Sequence, residues 1–226
     1  AVAGAIAGLI IVLLVLSRHL AVVRLNHKLA QVIEEQERTD ARLRLSNKLL
    51  HDISGAQRRF LLNDGRRISF DKLLQSILAV THSQYGFIGE LRYTDEGTPY
   101  FKTHAISDAP RDAETQACYA AHAPRDLEFF NLDNLFGTVL KSGRPLVANQ
   151  PSRHPLPRGL PSGHPPLEAF LALPFVLEGE VLGMAGIANR PGGYDDSVVA
   201  LLDPFVSTCA LMIHPSRNER HRAQAE

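Results

Sequence analysis

The first sixteen positions, Ala1 to Leu16 (AVAGAIAGLIIVLLVL), hold no charged or polar side chain. A helix over that run rises roughly 24 Å at about 1.5 Å per residue, close to the thickness of a bilayer core. A core helix in a domain of this size would keep a polar face, so the pattern predicts a transmembrane helix over residues 1–17. Arg18, His19, Arg24, His27 and Lys28 follow directly. Basic residues flanking a span stay on the cytoplasmic side, so everything downstream is expected in the cytoplasm. Gly4 and Gly8 form a small-xxx-small pair that suits close helix approach, although Ala/Gly-rich spans produce such pairs by chance. The first methionine is Met184, and the expectation is therefore a piece of a longer protein whose span begins upstream.

From Val22 the apolar positions change to a seven-residue beat. Val22, Leu29, Leu43 and Leu50 share one register, and Leu25, Val32 and Ile53 share the other. These are the a and d positions of a parallel coiled coil, which predicts a dimeric signalling helix over residues 18–57. Gln36, Thr39 and Ser46 interrupt the seam, while Glu34, Glu35, Glu37, Arg38, Asp40, Arg42 and Arg44 keep the outside solvated. An amphipathic helix packed on its own domain is the alternative. Leu50-His51-Asp52 with Gly55 has a short likeness to a phospho-acceptor histidine box. It leads into a globular domain instead of an ATP-binding one, so His51 reads as a solvated helix position.

Beyond residue 58 the periods alternate. Phe70 to His82 has a helical apolar face, and Asp71 lies in its first turn. Gly86–Thr94 and Tyr100–Ile106 flank Asp95-Glu96-Gly97 as a hairpin. Asp133–Lys141 reads as a short helix closed by Gly143, and Pro145–Asn149 as a short strand. Residues 150–167 (QPSRHPLPRGLPSGHPPL) are too rich in proline for helix or inner strand and form a long surface loop. Ala169–Val176 and Val181–Asn189 make a second hairpin, and Asp195–Ile213 a closing helix. The order predicts an α+β domain: an antiparallel sheet with helices, over residues 58–213. Residues 214–226 are expected to lead into a missing output domain.

Charge and cysteine content narrow the function. Lys plus Arg and Asp plus Glu number 24 each, which leaves no field to recruit nucleic acid. Cys118 and Cys209 alone make neither a disulfide framework nor a metal-ligand spacing. No GxSxG, Walker loop, HExxH or dinucleotide fingerprint is present, so no catalysis is expected within this fragment.

Five segments in order carry a resemblance: Tyr85–Glu90 (YGFIGE), Thr103–Ile106 (THAI), Asn131–Gly137 (NLDNLFG), Gly163–Leu167 (GHPPL) and Ala188–Tyr194 (ANRPGGY). Residues from about Phe70 to Ile213 resemble a GAF domain of the type found in bacterial membrane-bound sensor histidine kinases and related transducers. The resemblance implies an inner-membrane signalling protein, a helical layer that commonly dimerises, and an opposite face whose loops close over a small-ligand pocket. Glu90, His104, Asn149 and His164 are its polar candidates, with Phe87 and Phe136 as apolar walls. Each has a plainer alternative: Glu90 and His104 as a strand-to-strand pair, His164 as a loop-ordering residue. The resemblance further implies a missing output, first a histidine kinase and second a diguanylate cyclase, and leaves a ligand-free dimerisation adaptor as the alternative function. Cys118 is followed by Tyr119 instead of the histidine typical of bilin attachment, so no covalent bilin is expected. The NKFDE run of cyclic-nucleotide-binding relatives is absent, and the two cysteines are not where free methionine sulfoxide reductases of this fold place theirs.

Overall fold

The computed structural model describes the backbone of residues 2–61, 66–107, 127–154 and 166–225, and the side chains of 16–58, 70–107, 127–154 and 166–214. Cys118, His164 and most of the proline-rich loop lie outside them. The chain divides into two units, Ala1–Asn47 and Lys48–Glu226. The first belongs wholly to α1 (Val2–Leu61), whose last turns fall in the second. Among the described residues no helix is long and apolar enough to cross a membrane; the side chains of the apolar run up to Val15 are not among them.

Along the first unit the heptad positions are open to solvent: Val22, Leu25, Leu29 and Val32 are each more than half exposed. The seam ends earlier than its periodicity predicts. Leu49, Ile53 and Ala56, spaced four and three residues apart, form a buried stripe in the second unit, so Ile53 belongs to the domain core. Leu50, one residue from Leu49, stays exposed.

In the second unit, α2 (Arg66–Thr81) precedes the hairpin β1 (Tyr85–Tyr93) and β2 (Pro99–Ile106). There follow β3 (Glu128–Phe129), α3 (Leu135–Ser142), β4 (Leu146–Ala148) and a single 3-10 turn (Pro151–Arg153). The hairpin β5 (Phe170–Leu177) and β6 (Glu180–Ala188) leads to α4 (Asp196–Leu201) and α5 (Asp203–Ala225). The six strands form one antiparallel sheet in the order β3-β2-β1-β6-β5-β4, which is the α+β architecture expected. The closing helix is two helices. Pro204 has no N–H and its ring would crowd the carbonyl four residues back, so α4 stops and α5 starts with the proline in its first turn.

Alternation along the central strands assigns the two faces. Ile88, Ala185, Leu173 and Phe175 point one way, where Phe175 meets Phe205 of α5 at 6.1 Å between ring centres. Tyr85, Phe101, Met184 and Ala172 point the other way, into a core with Leu135, Val139 and Leu140 of α3. α1 joins α2 and α5 on the first face: Ser76 donates to Asp52 Oδ2 at 2.9 Å, and Gln57 Nε2 donates to Thr208 Oγ1 at 3.2 Å.

α3 begins two residues later than its pattern predicts because Asn134 caps it, Oδ1 accepting from the Gly137 amide at 2.9 Å. Gly143, in the left-handed region at φ 64°, ends it and donates to the Val139 carbonyl. A Cβ on Gly137 would lie 2.0 Å from the Leu132 carbonyl oxygen, so the helix seats only because that position is bare. In an ordinary helix interior Gly→Ala gains up to about 1 kcal/mol. Here Gly137→Ala is expected to cost about 1–3 kcal/mol in denaturant unfolding, and a stabilised variant would show that α3 lifts off Leu132 freely.

Candidate functional site

Of the six residues singled out in the sequence, His164 lies outside the described residues, and the other five do not gather on one face of the sheet. Glu90 and His104 lie on the face covered by α2. The Glu90 side chain, only 2% exposed, accepts at Oε2 from Arg92 Nε and Nη2 at 3.2 Å, and His104 Nε2 lies 3.0 Å from the same oxygen. Ile88 pairs with Ala105 and Gly89 with Thr103, so His104 is the extra residue of a β-bulge. The bulge turns its ring towards α2, where it stacks on Phe70 with ring centres 4.9 Å apart and planes 11° apart. This is the strand-to-strand pair of the plainer reading, capped by an aromatic ring and extended by Arg92. A buried carboxylate needs such partners, because leaving its charge uncompensated costs about 3–5 kcal/mol.

Phe87 and Phe136 occupy the opposite face. Phe87 makes edge contacts with Phe101 at 5.6 Å and Phe136 at 6.5 Å, while Phe136 also meets Phe101 at 5.9 Å and Phe129 at 6.0 Å. Four phenyl rings therefore lie in mutual contact between α3 and the β2–β1 part of the sheet. The walls expected of a pocket pack against each other.

Asn149 sits at the end of the sheet where β4 and β6 finish. Its side chain clamps one residue, with Nδ2 donating to the Tyr194 carbonyl at 2.9 Å and Oδ1 accepting from the Tyr194 amide at 2.7 Å. Gly193, at φ 79°, must be glycine twice over, since a Cβ would also lie 2.6 Å from Asn149 Oδ1. Asn189, left-handed at φ 59°, makes a second clamp: Oδ1 accepts from the Glu168 amide and Nδ2 donates to the Pro166 carbonyl, each at 2.9 Å. Tyr85 Oη donates to the same Pro166 carbonyl at 2.8 Å.

A chain of hydroxyls ties this end to α2. Thr81 Oγ1 donates to the Ile77 carbonyl at 2.6 Å, Ser83 Oγ lies 2.7 Å from Thr81, and Tyr194 Oη lies 2.8 Å from Ser83. Each hydroxyl has one proton, so with Thr81 committed to Ile77, Ser83 donates to Thr81 and Tyr194 donates to Ser83. Tyr194 must stay protonated to donate, and burial pushes its phenol up to about 12. Burial likewise raises Tyr85 to about 12.

Sequence reasoning missed Arg92, Asn189 and Tyr194. Arg92 was findable, two residues along the strand from Glu90 and so on its face. The clamps were not, because they join segments about 45 or 20 residues apart in the chain.

These groups bind structure together more than they offer chemistry. Cys209 is fully buried and burial raises its thiol well above the usual value, which disfavours the reactive thiolate. Among the described residues no group of three or more His, Cys, Asp or Glu is placed to hold a metal.

Asn149→Ala removes both bonds to Tyr194 and leaves buried backbone groups unpaired; we expect a loss of about 2 kcal/mol or more in urea unfolding. The tyrosines set an alkaline limit. Their folded values lie above the ordinary 10.0, so their contribution is full below pH 10 and is lost as pH rises towards about 12. Thermal melts should fall over that window, and Tyr194→Phe, though less stable at neutral pH, should flatten the fall.

Comparison with known proteins agrees with this architecture. The family model described as GAF domain matches residues 67–214, more than half of the chain. The GAF domain of a phosphoenolpyruvate-protein phosphotransferase from Coxiella burnetii superposes with TM-score 0.59 at 13% identity, over 78% of this chain and 98% of that one. The free methionine-R-sulfoxide reductase of Neisseria meningitidis, solved with its substrate, gives 0.56 at 9% identity, over 77% and 91%. Residues 122 to 287 of a methyl-accepting chemotaxis protein give 0.54 at 12%, over 73% and 95%. At such identities the likeness is one of fold. The search of curated proteins returns no match. Through its matched residues, its six-stranded antiparallel sheet and the helices on both faces, the chain belongs to the GAF domain family.

Proposed function

We propose that this chain is the sensory and dimerising GAF module of a membrane-anchored signalling protein, regulating a C-terminal output, a histidine kinase in the first instance, and carrying no catalysis itself. The observation that supports it is the exposed seam on α1. Val22, Leu25, Leu29 and Val32 are between 54% and 65% exposed, a row of apolar side chains with no cover in one copy. Spacing of three and four residues with charged flanks is the pattern that a second, parallel helix of the same kind covers. The apolar run Ala1–Leu16, next to Arg18 and His19, supports the membrane anchor. GAF domains form a signalling and sensory family, and the likeness to a chemotaxis protein fits regulation better than turnover.

The four-phenyl cluster favours a second reading, in which the α3 face is filled by its own side chains and the module only dimerises. Native mass spectrometry of the purified chain separates the two. A retained small molecule supports sensing at that face, whereas a ligand-free dimer supports the adaptor.

The dimer itself is tested by sedimentation in detergent. The native chain should run as a dimer, and Leu25→Glu with Leu29→Glu should shift it to monomer with the GAF melt unchanged. A dimer that survives both substitutions refutes the seam as the interface.

A further inference from the structure

A cleft of about 430 Å³ lies between α1 and α2, away from the phenyl cluster and away from Glu90. Its α1 wall is Lys48, His51, Asp52 and Gly55, spaced i, i+3, i+4 and i+7 and therefore on one face of the helix. Lys72 and Ser76 stand on the α2 wall, four residues apart on one face. All these residues belong to the second unit.

The charges in the cleft are not mutually neutralised. Among the described residues neither Lys48 nor Lys72 forms an ion pair, although Asp52 lines the same cleft. Asp52 is instead held by the Ser76 hydroxyl at 2.9 Å. The Ser76 hydroxyl lies 2.9 Å from the Lys72 carbonyl as well, and the few residues between Leu61 and Arg66 are too short a connection for α1 and α2 to run parallel, so the two are antiparallel neighbours. Position 52 is then level with 76, which puts Lys48 towards one end of the cleft and Lys72 towards the other. The cleft is within the size range of small-molecule sites, which begins at about 300 Å³. Its lining is too polar for an apolar ligand.

The geometry points to a binding site for a small dianion, its two acidic groups held by Lys48 and Lys72 and with the His51 ring beside them on the α1 wall. Dicarboxylates and compounds with two phosphoryl groups share this chemistry. A bound dianion bridges α1 to α2 and stabilises the docked position of α1, so it acts on the element that the proposed module uses to transmit its signal. The site stands whether or not α1 pairs with a second copy.

The test is calorimetric titration of the purified full chain with succinate, adipate and inorganic pyrophosphate, with acetate as the monoanion. The expected result is saturable binding of at least one dianion and none of acetate. Success with the dicarboxylates alone, or with pyrophosphate alone, names the acid group. Lys48→Gln and Lys72→Gln should each weaken binding several-fold, and the pair by about tenfold or more. Arginine at both positions should restore it. Lys141→Gln, outside the cleft beside Asp133, should leave it unchanged. All five lysine variants alter exposed positions, and circular dichroism checks that each is folded. Three results overturn the proposal: no saturable binding at millimolar concentration, acetate binding as tightly as the dianions, or full binding in the double glutamine variant.

Discussion

The antiparallel pairing of β1 with β6 is the constraint from which the rest of the domain follows. It joins the two hairpins, which are far apart in sequence, at the centre of the sheet, with Ile88 opposite Ala185 and Glu90 opposite Gly183. The strands approach closely because glycine recurs on both; a Cβ on Gly183 would lie 2.2 Å from the Gly89 carbonyl oxygen. Once that register is set, a one-residue slip would exchange the two faces of every paired residue. The register puts the start of β1 beside the end of β6, and so brings Ser83 to Tyr194 and the end of α2 to the turn before α4. The hydroxyl chain and the asparagine clamps fasten that end. α2 and α5 cover one face and α3 the other, each in the place its connection to the central pair permits.

How much of this was legible in the sequence depended on whether a feature is local. Element type follows from local period, so α2, both hairpins and α3 came out near their observed limits, and two of the segments that carried the family resemblance, Tyr85–Glu90 and Thr103–Ile106, lie in β1 and β2. The faces were legible too, though they were not used: Phe87 and Glu90 are three residues apart, and in a strand an odd separation means opposite sides. Grouping them as one pocket therefore conflicted with the alternation of β1 itself. His104 needed more than alternation, because its direction is set by a bulge that only the pairing with β1 reveals. The break at Leu202 was written in Pro204, whereas the burial of Ile53 was not, since heptad spacing cannot tell a partner helix from the domain that follows. Asn149 is the clearest case of a residue rightly noticed for a reason that differs from its observed contacts.

Two polar arrangements in the domain illustrate opposite uses of burial. Glu90 keeps a charge inside by surrounding one oxygen with Arg92 and His104 and by placing Phe70 over the imidazole. The Tyr194–Ser83–Thr81 chain has no charge, and its order comes from the single proton each hydroxyl can give. The first joins the sheet to the helix above it; the second joins that helix to the loop below. Between them they hold both ends of α2, the helix that also forms one wall of the cleft beside α1. Any movement of α1 against α2 would therefore take place over a floor that is held at both ends.

Leu49 and Leu50 give α1 a limited mechanical repertoire. Adjacent residues on a helix project about 100° apart, so buried Leu49 and exposed Leu50 lie on neighbouring sides of one shaft. Turning that shaft far enough to exchange the two would draw Leu49 out of the domain, at a cost of about 1.5–3 kcal/mol for that side chain alone. Sliding along the axis by a fraction of a turn, or leaning by a few degrees, keeps Leu49 inside the domain and Leu50 outside it. At this joint the protein is suited to working as a plunger or a lever, and poorly suited to working as a screw.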